Sequence, residues 1–257
     1  MSTTVEISVI IPAYNEEERI ESTLKEYVNF LNREFEKNFE IIVVTDGCID
    51  RTPEIVENMR RECSKIIHLH PPKRLGKGGA IKLGFKTAKG NVIGFVDADC
   101  SLSPKDCKTL INKLRNCDAV IGSRRMGNKQ VYDSFIREMG SRAFNFLVKL
   151  LFHLPFRDTQ CGAKFFKKDV VKSVVDELGL SDWSFDVELL YRIRRKGFKI
   201  VETEIEWNHK KGSKLKVSRA SIKMFLSIIG LRVKFSPLSK IISPRVFGIV
   251  YEKVKKL

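Results

Sequence analysis

Residues 65–100 read KIIHLHPPKRLGKGGAIKLGFKTAKGNVIGFVDADC. This stretch begins and ends with short apolar runs, KIIHLH and NVIGFVD, which are typical of strands. Between these runs, the apolar residues from about Gly78 to Ala88 follow the spacing of a helix. A strand, a helix and a second strand in this order form a βαβ unit, in which the two strands lie parallel. The stretch therefore predicts an α/β fold.

The same alternation of strands and helices extends over the first 123 residues. It predicts a mostly parallel sheet that carries helices on both faces. Ligands bind beyond the carboxyl ends of such strands, so the residues just after each apolar run are candidates for a site. Further strands are expected at VEISVII, FEIIVVT and DAVIGS, and further helices from about Glu16 to Glu34, near Pro53 to Glu62 and from about Pro104.

The second half of the chain starts with a long amphipathic helix, expected from Asp133 to His153. Such a helix can pack inside the protein or lie in a membrane interface, and both interpretations stay open. We then expect a strand at AKFFK, helices near Lys168 to Glu177 and from about Phe185 to Lys196, and a strand at KIVETEIEW. The predicted organisation is a main domain, residues 1–216, followed by a basic amphipathic extension, residues 217–257, that associates with a membrane.

The composition indicates an anionic partner. Lys and Arg number 47 against 31 Asp and Glu, which gives a formal charge of +16. A charge of this sign suits nucleic acid, anionic lipid headgroups or phosphorylated substrates. The longest apolar runs fall short of the ~20 residues that span a bilayer, and the N-terminus lacks the pattern of a secretory signal. We therefore expect a cytoplasmic protein that does not span the membrane.

Two carboxylates follow the apolar run NVIGFV, at Asp97 and Asp99. In an extended chain, residues two apart face the same side, so both carboxylates can approach one cation or its bound diphosphate. Hard oxygen ligands of this kind suit Mg²⁺ or Mn²⁺. A solvated, Asp-rich turn would have the same sequence, and this alternative stays open.

Two further segments could hold a nucleotide. Asp46 follows another predicted strand and precedes Gly47, which permits a sharp turn, so its carboxylate can accept a hydrogen bond from a nucleobase N–H. The segment KRLGKGGA places Arg74 and Lys77 beside three glycines before a helix, whose first N–H groups suit a diphosphate. An ordinary turn and a flexible basic loop are the competing interpretations.

Together, these motifs resemble those of the family-2 glycosyltransferases. The motifs are SVIIPAYNEEERI, VVTDGCIDRT, GKGGAIKLGFKTAKGNVIGFVDADCSLSP, IGSRR, RDTQCGAKFF and SFDVELLYRIRRKG, within roughly residues 5 to 216. Within the family, RDTQCG, FDVELLY and HKKGSKL are most similar to the dolichyl-phosphate β-glucosyltransferases, with the dolichyl-phosphate mannose synthases close behind. The resemblance implies a GT-A fold, a Rossmann-like sheet flanked by helices, with amphipathic interface helices. Two positions depart from the family pattern: Thr45 replaces a usual acidic residue, and Cys48 a usual Ser.

The resemblance also implies roles for individual residues. Asp46 would read the base, and Asp99, together with Asp97, would hold the metal ion. The residues expected to bind the nucleotide sugar are Pro12, Ala13, Tyr14, Glu16, Asp46, Lys77, Asp97, Ala98 and Asp99. The residues expected around the acceptor phosphate are Arg124, Arg137, Ser141 and Lys214. The residues expected to act in the transfer itself are Asp99, Arg124, Arg137, Asp158 and Gln160, of which the last two lie near the transferred sugar.

The implied activity is inverting transfer of a hexose, with UDP-glucose favoured, to dolichyl or polyprenyl phosphate, giving a β-linked product. A phosphate monoester is largely dianionic at pH 7, so it can attack without a general base. The expected cofactor is Mg²⁺ or Mn²⁺. The expected partners are a nucleotide sugar, polyprenyl phosphate and an anionic membrane surface, without nucleic acid, and a membrane-protein partner is left open.

Several alternatives remain at this stage. The donor could be GDP-mannose, and the acceptor could be a soluble glycan or a protein. A nucleic-acid binder and a non-catalytic membrane scaffold are the alternatives from other classes. Asp186 and Glu188 could contact the sugar or act as a base, or they could be ion-paired residues on a helix.

Overall fold

The computed structural model describes residues 5–36, 38–126, 135–179, 184–206 and 217–236. These residues form one seven-stranded sheet with helices packed on both faces. The α/β fold predicted from the alternation of strands and helices is therefore confirmed. Within the described ranges, every helix is too short or too polar to cross a membrane.

The strands and helices follow one another closely along the chain. The strands are β1 (Ile7–Ala13), β2 (Phe39–Thr45), β3 (Ile66–Leu69), β4 (Val92–Phe95), β5 (Ala119–Ser123), β6 (Lys164–Lys167) and β7 (Ile200–Glu204). The helices are α1 (Ile20–Glu34), α2 (Thr52–Glu62), α3 (Lys77–Thr87), α4 (Pro104–Lys113), α5 (Phe135–Phe152), α6 (Lys168–Val174), α7 (Phe185–Arg195) and α8 (Val217–Lys234). A short 3₁₀ turn, Val175–Glu177, follows α6.

The sheet is mostly parallel, with strand order β3-β2-β1-β4-β6-β5-β7. Strands β1 to β4 pair in parallel, and so do β5 and β7. Strand β6 lies between β4 and β5 and runs antiparallel to both. As a result, the residues just before β6 lie at the same edge of the sheet as the residues just after the parallel strands.

Two apolar layers cover the two faces of the sheet. Helices α1, α2 and α4 pack on one face, where Tyr27 of α1 is fully buried. Helices α3 and α5 to α8 pack on the other face, where the rings of Phe85, Phe95 and Phe166 contact one another. Because both faces are covered, central strands such as β2 bury every residue, which explains their continuous apolar runs.

Helix α1 begins later than the sequence pattern suggested. The pattern placed its start near Glu16, whereas the structure begins the helix at Ile20. The backbone N–H of Glu16 donates to Thr52 Oγ1 at 2.8 Å, and the Glu16 carbonyl accepts from the N–H groups of Arg19 and Ile20. Residues 16–19 therefore form a turn that is tied to the start of α2.

The described C-terminal residues, 217–236, contain helix α8, which lies in the expected basic amphipathic extension. Helix α8 has 18 residues and packs against α5, with Ile228 and Leu231 in the apolar layer. The predicted boundary after residue 216 lies outside the described residues, as do residues 237–257.

Candidate functional site

The candidate site lies at the edge of the sheet where β1, β2, β4 and β5 end. The segment RDTQCG, residues 157–162, reaches this edge because it precedes the antiparallel strand β6. The segment meets the DAD motif directly, since a Cβ on Gly162 would overlap the carboxylate of Asp97. In the same way, a Cβ on Gly78 at the start of α3 would overlap the side chain of Phe185. The motifs that are distant in sequence are therefore in contact.

An aromatic side chain marks the end of β1. Tyr14 is exposed just after the strand, and the guanidinium carbon of Arg74 lies 3.7 Å from the centroid of its ring. Pro12 and Ala13 are the last residues of β1, and Ala13 is buried. This end of β1 therefore offers a flat ring and a cation beside Asp46, which is suitable for a nucleobase.

The carboxylate of Asp46 holds the loop between β3 and α3. Its Oδ1 accepts a hydrogen bond from the N–H of Leu75 at 2.5 Å, and its Oδ2 accepts one from the N–H of Gly76 at 2.7 Å. Gly47 follows with a φ of +70°, which lets the chain turn. Each carboxylate oxygen has two lone pairs, so Asp46 can hold this loop and still accept from a ligand.

Thr45, which departs from the family pattern, is fully buried beside two histidines. Its Oγ1 lies 2.9 Å from His68 Nε2 and 2.8 Å from His70 Nδ1. The carbonyl of Leu69 is farther away, at 3.5 Å from the same hydroxyl. His68 Nδ1 in turn lies 3.2 Å from the carboxylate of Glu57. The position therefore carries a hydrogen-bonded chain instead of a second acidic residue.

Asp97, the first carboxylate of the DAD motif, is paired with a lysine from the glycine-rich segment. Lys77 Nζ donates to Asp97 Oδ1 at 2.7 Å. Burial would raise the pKa of Asp97, but the opposite charge and hydrogen bond of Lys77 outweigh it, so the pKa lies below its ordinary value. Asp97 is therefore an anion that faces a lysine at the start of α3.

Asp99, the second carboxylate of the motif, lies close to Glu16. Asp99 Oδ1 accepts from the N–H of Ser101 at 3.0 Å. Burial raises the pKa of Glu16, an effect that Arg19 partly offsets and that the negative charges of Asp99 and Asp97 increase. Three carboxyl groups therefore share this part of the site. Ala98 between the two aspartates is buried, and its carbonyl accepts from Thr23 Oγ1 at 2.9 Å.

The donor set at this point fits a hard divalent cation only when a substrate completes it. Among the described residues, no three side chains of His, Cys, Asp or Glu converge tightly enough to hold a metal alone. Asp97 and Asp99 supply carboxylate oxygens, and the phosphates of a bound substrate would supply the rest. This is how Mg²⁺ is usually held in phosphate sites.

A bidentate ion pair joins the end of β5 to the RDTQCG segment. Arg124 donates from Nε to Asp158 Oδ2 at 2.7 Å and from Nη2 to Oδ1 at 2.9 Å, and its backbone N–H donates to the same carboxylate at 3.2 Å. Asp158 is fully buried. Burial would raise its pKa, but Arg124 outweighs this effect, and the pKa lies below its ordinary value. Asp158 therefore orients the guanidinium of Arg124.

Gln160 carries a buried amide that no described residue satisfies. Both Oε1 and Nε2 are shielded from solvent and lack a hydrogen-bond partner within the described ranges. The hydroxyl of Ser123, at the end of β5, is also buried and lacks a hydrogen-bond partner within the described ranges. Buried polar groups are normally hydrogen-bonded, so these two groups point to a ligand or to a substrate-bound rearrangement.

The acidic residues of FDVELLY are both engaged in ion pairs. Asp186 Oδ1 lies 2.5 Å from Nζ of Lys164, a lysine of β6 that is fully buried. Glu188 accepts from Arg192 Nη2 at 2.8 Å and from Lys234 Nζ at 3.4 Å. The interpretation of Glu188 as an ion-paired helix residue therefore agrees with its contacts, and Asp186 faces the interior at the edge of the site.

The remaining predicted residues lie on α5 or outside the described ranges. Arg137 and Ser141 belong to α5, one turn apart, but only the backbone of Arg137 is described. Lys214 lies outside the described residues. The structure thus brings together the residues expected on β1, β2, β4, β5 and the RDTQCG segment, and leaves the expected contacts of Arg137 and Lys214 open.

Sequence reasoning overlooked three groups at the site: Lys164, the histidine pair His68 and His70 at the end of β3, and Gly162. A buried lysine has no sequence signal of its own, because KFFK also describes an exposed strand end. The histidines do have a signal, since residues two apart on a strand face the same side. Gly162 could have been recognised from its place two residues before a strand.

The chain is similar in sequence to several known proteins. The sequence profile of glycosyl transferase family 2 matches residues 8–175. The chain is 36% identical over 241 residues to dolichyl-phosphate beta-glucosyltransferase ALG5D of Trichomonas vaginalis, covering 89% of this chain and 73% of that protein. It is 30% identical over 249 residues to the dolichyl-phosphate beta-glucosyltransferase of Homo sapiens, covering 91% and 77%. It is 35% identical over 228 residues to glycosyltransferase AglD of Haloferax volcanii, covering 88% of this chain but only 36% of that protein.

Solved structures with the same fold are also known. Glucosyl-3-phosphoglycerate synthase from Mycobacterium tuberculosis, crystallised with Mn²⁺, UDP and glucosyl-3-phosphoglycerate, has a TM-score of 0.65 and 20% identity, covering 88% of this chain and 79% of that one. S. aureus TarS 1-349 has a TM-score of 0.55 and 17% identity, covering 96% and 69%. At these identities, the likeness shows a shared fold.

Proposed function

The chain belongs to glycosyl transferase family 2 and has the GT-A fold, and we propose that it transfers glucose from UDP-glucose to dolichyl or polyprenyl phosphate. The relatives named dolichyl-phosphate beta-glucosyltransferase support this choice of donor sugar and acceptor. The chain spans about a third of the length of AglD.

The observation that carries the proposal is the contact of Asp97 with both Lys77 and Gly162. It places the acidic pair, the start of α3 and the RDTQCG segment around one point. A nucleoside diphosphate needs carboxylates for its metal ion and positive charge for its phosphates, and both are present there. An ordinary Asp-rich turn would not require a glycine from a distant segment against its carboxylate.

In this proposal, Asp99 and Asp97 hold Mg²⁺ or Mn²⁺. The bound ion would neutralise the charge of the leaving nucleoside diphosphate. Lys77 pairs with Asp97 and adds a positive charge at the first residue of α3, and a helix start of this kind favours a bound phosphate. The nucleobase would lie beside Tyr14 and Asp46.

The acceptor phosphate is proposed to lie near Arg124. Asp158 fixes the plane of the guanidinium through two hydrogen bonds, so the arginine is oriented before a phosphate arrives. Arg137, Ser141 and Lys214 are proposed to complete this phosphate site. A dianionic phosphate can attack the anomeric carbon without a general base, and displacement from the opposite side inverts the configuration.

Gln160 is proposed to contact the transferred sugar. An amide donates through nitrogen and accepts through oxygen, as a pair of sugar hydroxyls requires. The buried amide of Gln160 lacks a partner within the described ranges, which supports this assignment. A hexose in the site would satisfy both atoms.

The protein is also proposed to act at the cytoplasmic face of a membrane, where its lipid acceptor resides. Helix α5 exposes Met139, Phe146 and Leu150 to 56%, 68% and 61%. Arg142 and Lys149 lie on the same helix. Exposed apolar side chains flanked by cations are the pattern of helices that bind anionic interfaces.

The test of the proposed function is transfer from radiolabelled UDP-glucose, GDP-mannose and UDP-N-acetylglucosamine to short-chain polyprenyl phosphate, with Mg²⁺, Mn²⁺ or chelator. We expect metal-dependent label in the organic phase with UDP-glucose alone. Label from GDP-mannose would replace the donor assignment. Bound nucleotide without lipid product from any donor would contradict the lipid acceptor and favour a soluble one.

A further inference from the structure

Four side chains from α2, the end of β2 and the end of β3 form one hydrogen-bonded chain, which we call the histidine relay. It runs from Glu57 through His68 and Thr45 to His70, with distances of 3.2, 2.9 and 2.8 Å. The central hydroxyl is fully buried. The two inner members, His68 and Thr45, must each donate a hydrogen bond on one side and accept one on the other. This requirement distinguishes the relay from simple side-chain packing.

The direction of the relay follows from its first member. Hydrogen bonds from Arg60 and His68 lower the pKa of Glu57 to about 2, so its carboxylate only accepts. Burial lowers the pKa of His68, so its ring is neutral at pH 7, with the proton on Nδ1 facing Glu57. His68 Nε2 then accepts from the Thr45 hydroxyl, whose oxygen accepts from His70 Nδ1–H.

This direction fixes the ring of His70. Its Nδ1 is committed to Thr45 as a donor, so in the neutral ring Nε2 is an acceptor. His70 is exposed. It follows the last residue of β3, and that strand pairs with β2, so the ring lies next to Thr45 and therefore one residue from Asp46.

The ends of the strands give His70 its place in the site. They lie in the order β3, β2, β1 and β4. These ends carry His70, Asp46, Tyr14 and Asp97 respectively. If Asp97 lies at the diphosphate, the nucleoside extends over β1 and β2 toward β3. His70 then borders the nucleoside on the side away from the phosphates.

We propose that the histidine relay orients His70 so that its Nε2 accepts a hydrogen bond from an N–H or O–H group of the donor's nucleoside. His70 is thus a further specificity residue, and Thr45 and His68 are positioning residues that act through it. The inference rests on the proposed function in taking a nucleotide as the ligand. It requires no particular sugar or acceptor.

Two substitutions of His70 distinguish the role of its Nδ1 from the role of its Nε2. The amide nitrogen of Asn falls near the place of Nδ1, so His70→Asn keeps the donor to Thr45 and removes the distal acceptor. The amide of Gln reaches the place of Nε2, so His70→Gln keeps a distal acceptor and loses the bond to Thr45. Calorimetric titration with UDP and GDP measures binding without sugar, lipid or turnover, and circular dichroism confirms that each variant is folded.

We expect His70→Asn to weaken UDP binding by about 5- to 10-fold, and His70→Gln to weaken it by less than about 3-fold. Titration with 2′-deoxy-UDP distinguishes the sources of the hydrogen bond. If wild type and His70→Asn bind the deoxynucleotide with equal affinity, the hydrogen bond to His70 comes from the ribose 2′-hydroxyl. If the difference in affinity persists with the deoxynucleotide and changes with GDP, the hydrogen bond comes from the base.

Equal losses in the Asn and Gln variants, or wild-type binding by His70→Asn, would overturn the inference, since His70 would then only support the loop. A second pair of substitutions, at Thr45, tests whether the relay orients His70. Thr45→Ser keeps the hydroxyl and should bind UDP as the wild type does, whereas Thr45→Val should lose about as much affinity as His70→Asn. Because binding is measured without acceptor, failure of lipid transfer leaves this result unaffected.

Discussion

Gly162 and Asp97 are in such close contact that a Cβ on Gly162 would lie 1.8 Å from Asp97 Oδ2. Real Cβ atoms never come so near an oxygen, so any side chain at position 162 must displace the carboxylate. Asp97 belongs to the motif that follows β4, and Gly162 to the segment that precedes β6. The contact therefore couples the nucleotide side of the site to the segment near the transferred sugar.

The first prediction concerns this contact. Gly162→Ala should destabilise the protein by about 1–3 kcal/mol and raise the KM for the nucleotide sugar, because the added methyl pushes Asp97 away from Lys77. Gly140→Ala is the control, since a Cβ there would meet no described atom within 4 Å apart from its chain neighbours and its own helix backbone, and alanine favours the helix. Urea unfolding and donor titrations measure both effects. Equal behaviour of the two variants would show that Asp97 moves aside without consequence.

The second prediction concerns the pH dependence of Asp158. Its folded pKa lies below the ordinary 3.8, so its contribution to stability is present above that pH and is lost as the pH falls through the folded value. Asp158→Asn should cost about 3–5 kcal/mol at pH 7, since it leaves the charge of Arg124 uncompensated. The difference from wild type in urea unfolding should shrink below about pH 4. A difference that stays constant with pH would assign the loss to packing alone.

The third prediction concerns the metal. Asp99→Ala should lower turnover at least about 100-fold and abolish Mn²⁺ binding in the presence of UDP, while the thermal unfolding temperature stays close to that of the wild type. Asp176→Ala removes an exposed carboxylate paired with Lys86 and serves as the control. Turnover assays and electron paramagnetic resonance of Mn²⁺ measure the effect. Full activity of Asp99→Ala would rule out its assignment as a metal ligand.

The fourth prediction concerns the buried pair Lys164–Asp186. Lys164→Met or Asp186→Leu alone should each cost about 3–5 kcal/mol, because each leaves an unpaired charge in the interior. The double variant should cost clearly less than the sum, and a double-mutant cycle in urea measures the difference. We expect the double variant to retain turnover within about 10-fold. A stable but inactive double variant would instead give Asp186 a direct role in transfer.

The fifth prediction concerns the exposed face of α5. Changing both Phe146 and Leu150 to Glu should reduce sedimentation with anionic liposomes at least about 10-fold, because two large apolar side chains no longer enter the interface. Ile49→Glu is the control, since Ile49 is 87% exposed on a different part of the surface. UDP binding should be unchanged in the double variant. Liposome binding equal to that of the wild type would assign the membrane contact to another part of the surface, and a wild type that does not bind liposomes would favour a soluble acceptor.

The order of strands and helices was predictable because both faces of the sheet are covered. Burial on two sides forces continuous apolar runs such as FEIIVVT, which stand out between amphipathic helices. The ends of the helices were less predictable. The start of α1 depends on a hydrogen bond from Glu16 to Thr52, and a contact over 36 residues has no local pattern.

The direction of β6 could not be read from its four residues. KFFK predicts a strand, but its antiparallel course depends on its pairing with β4 and β5. That course decides whether Asp158 and Gln160 lie at the site or at the opposite edge of the sheet. The sequence reached them only through the family resemblance, whereas Asp46 and Asp97 follow from the rule for parallel strands.

Charges in the interior were the least predictable part of the site. Lys164 is buried because Asp186, on α7, neutralises it, and the two lie 22 residues apart. Thr45 was recognised as a departure from the family pattern. The reason for the departure depends on two histidines at the end of the neighbouring strand, which become its partners only when β2 and β3 pair.

The loop between β3 and α3 is attached at both ends to two consecutive residues, Thr45 at the end of β2 and Asp46 just after it. His70 binds Thr45 at one end, and the N–H groups of Leu75 and Gly76 bind Asp46 at the other. A segment held in this way has already lost much of its conformational freedom when the protein folds. A nucleotide that binds there therefore loses little affinity to the entropy cost of ordering the loop. Its affinity depends instead on how well its shape matches a surface that is already formed.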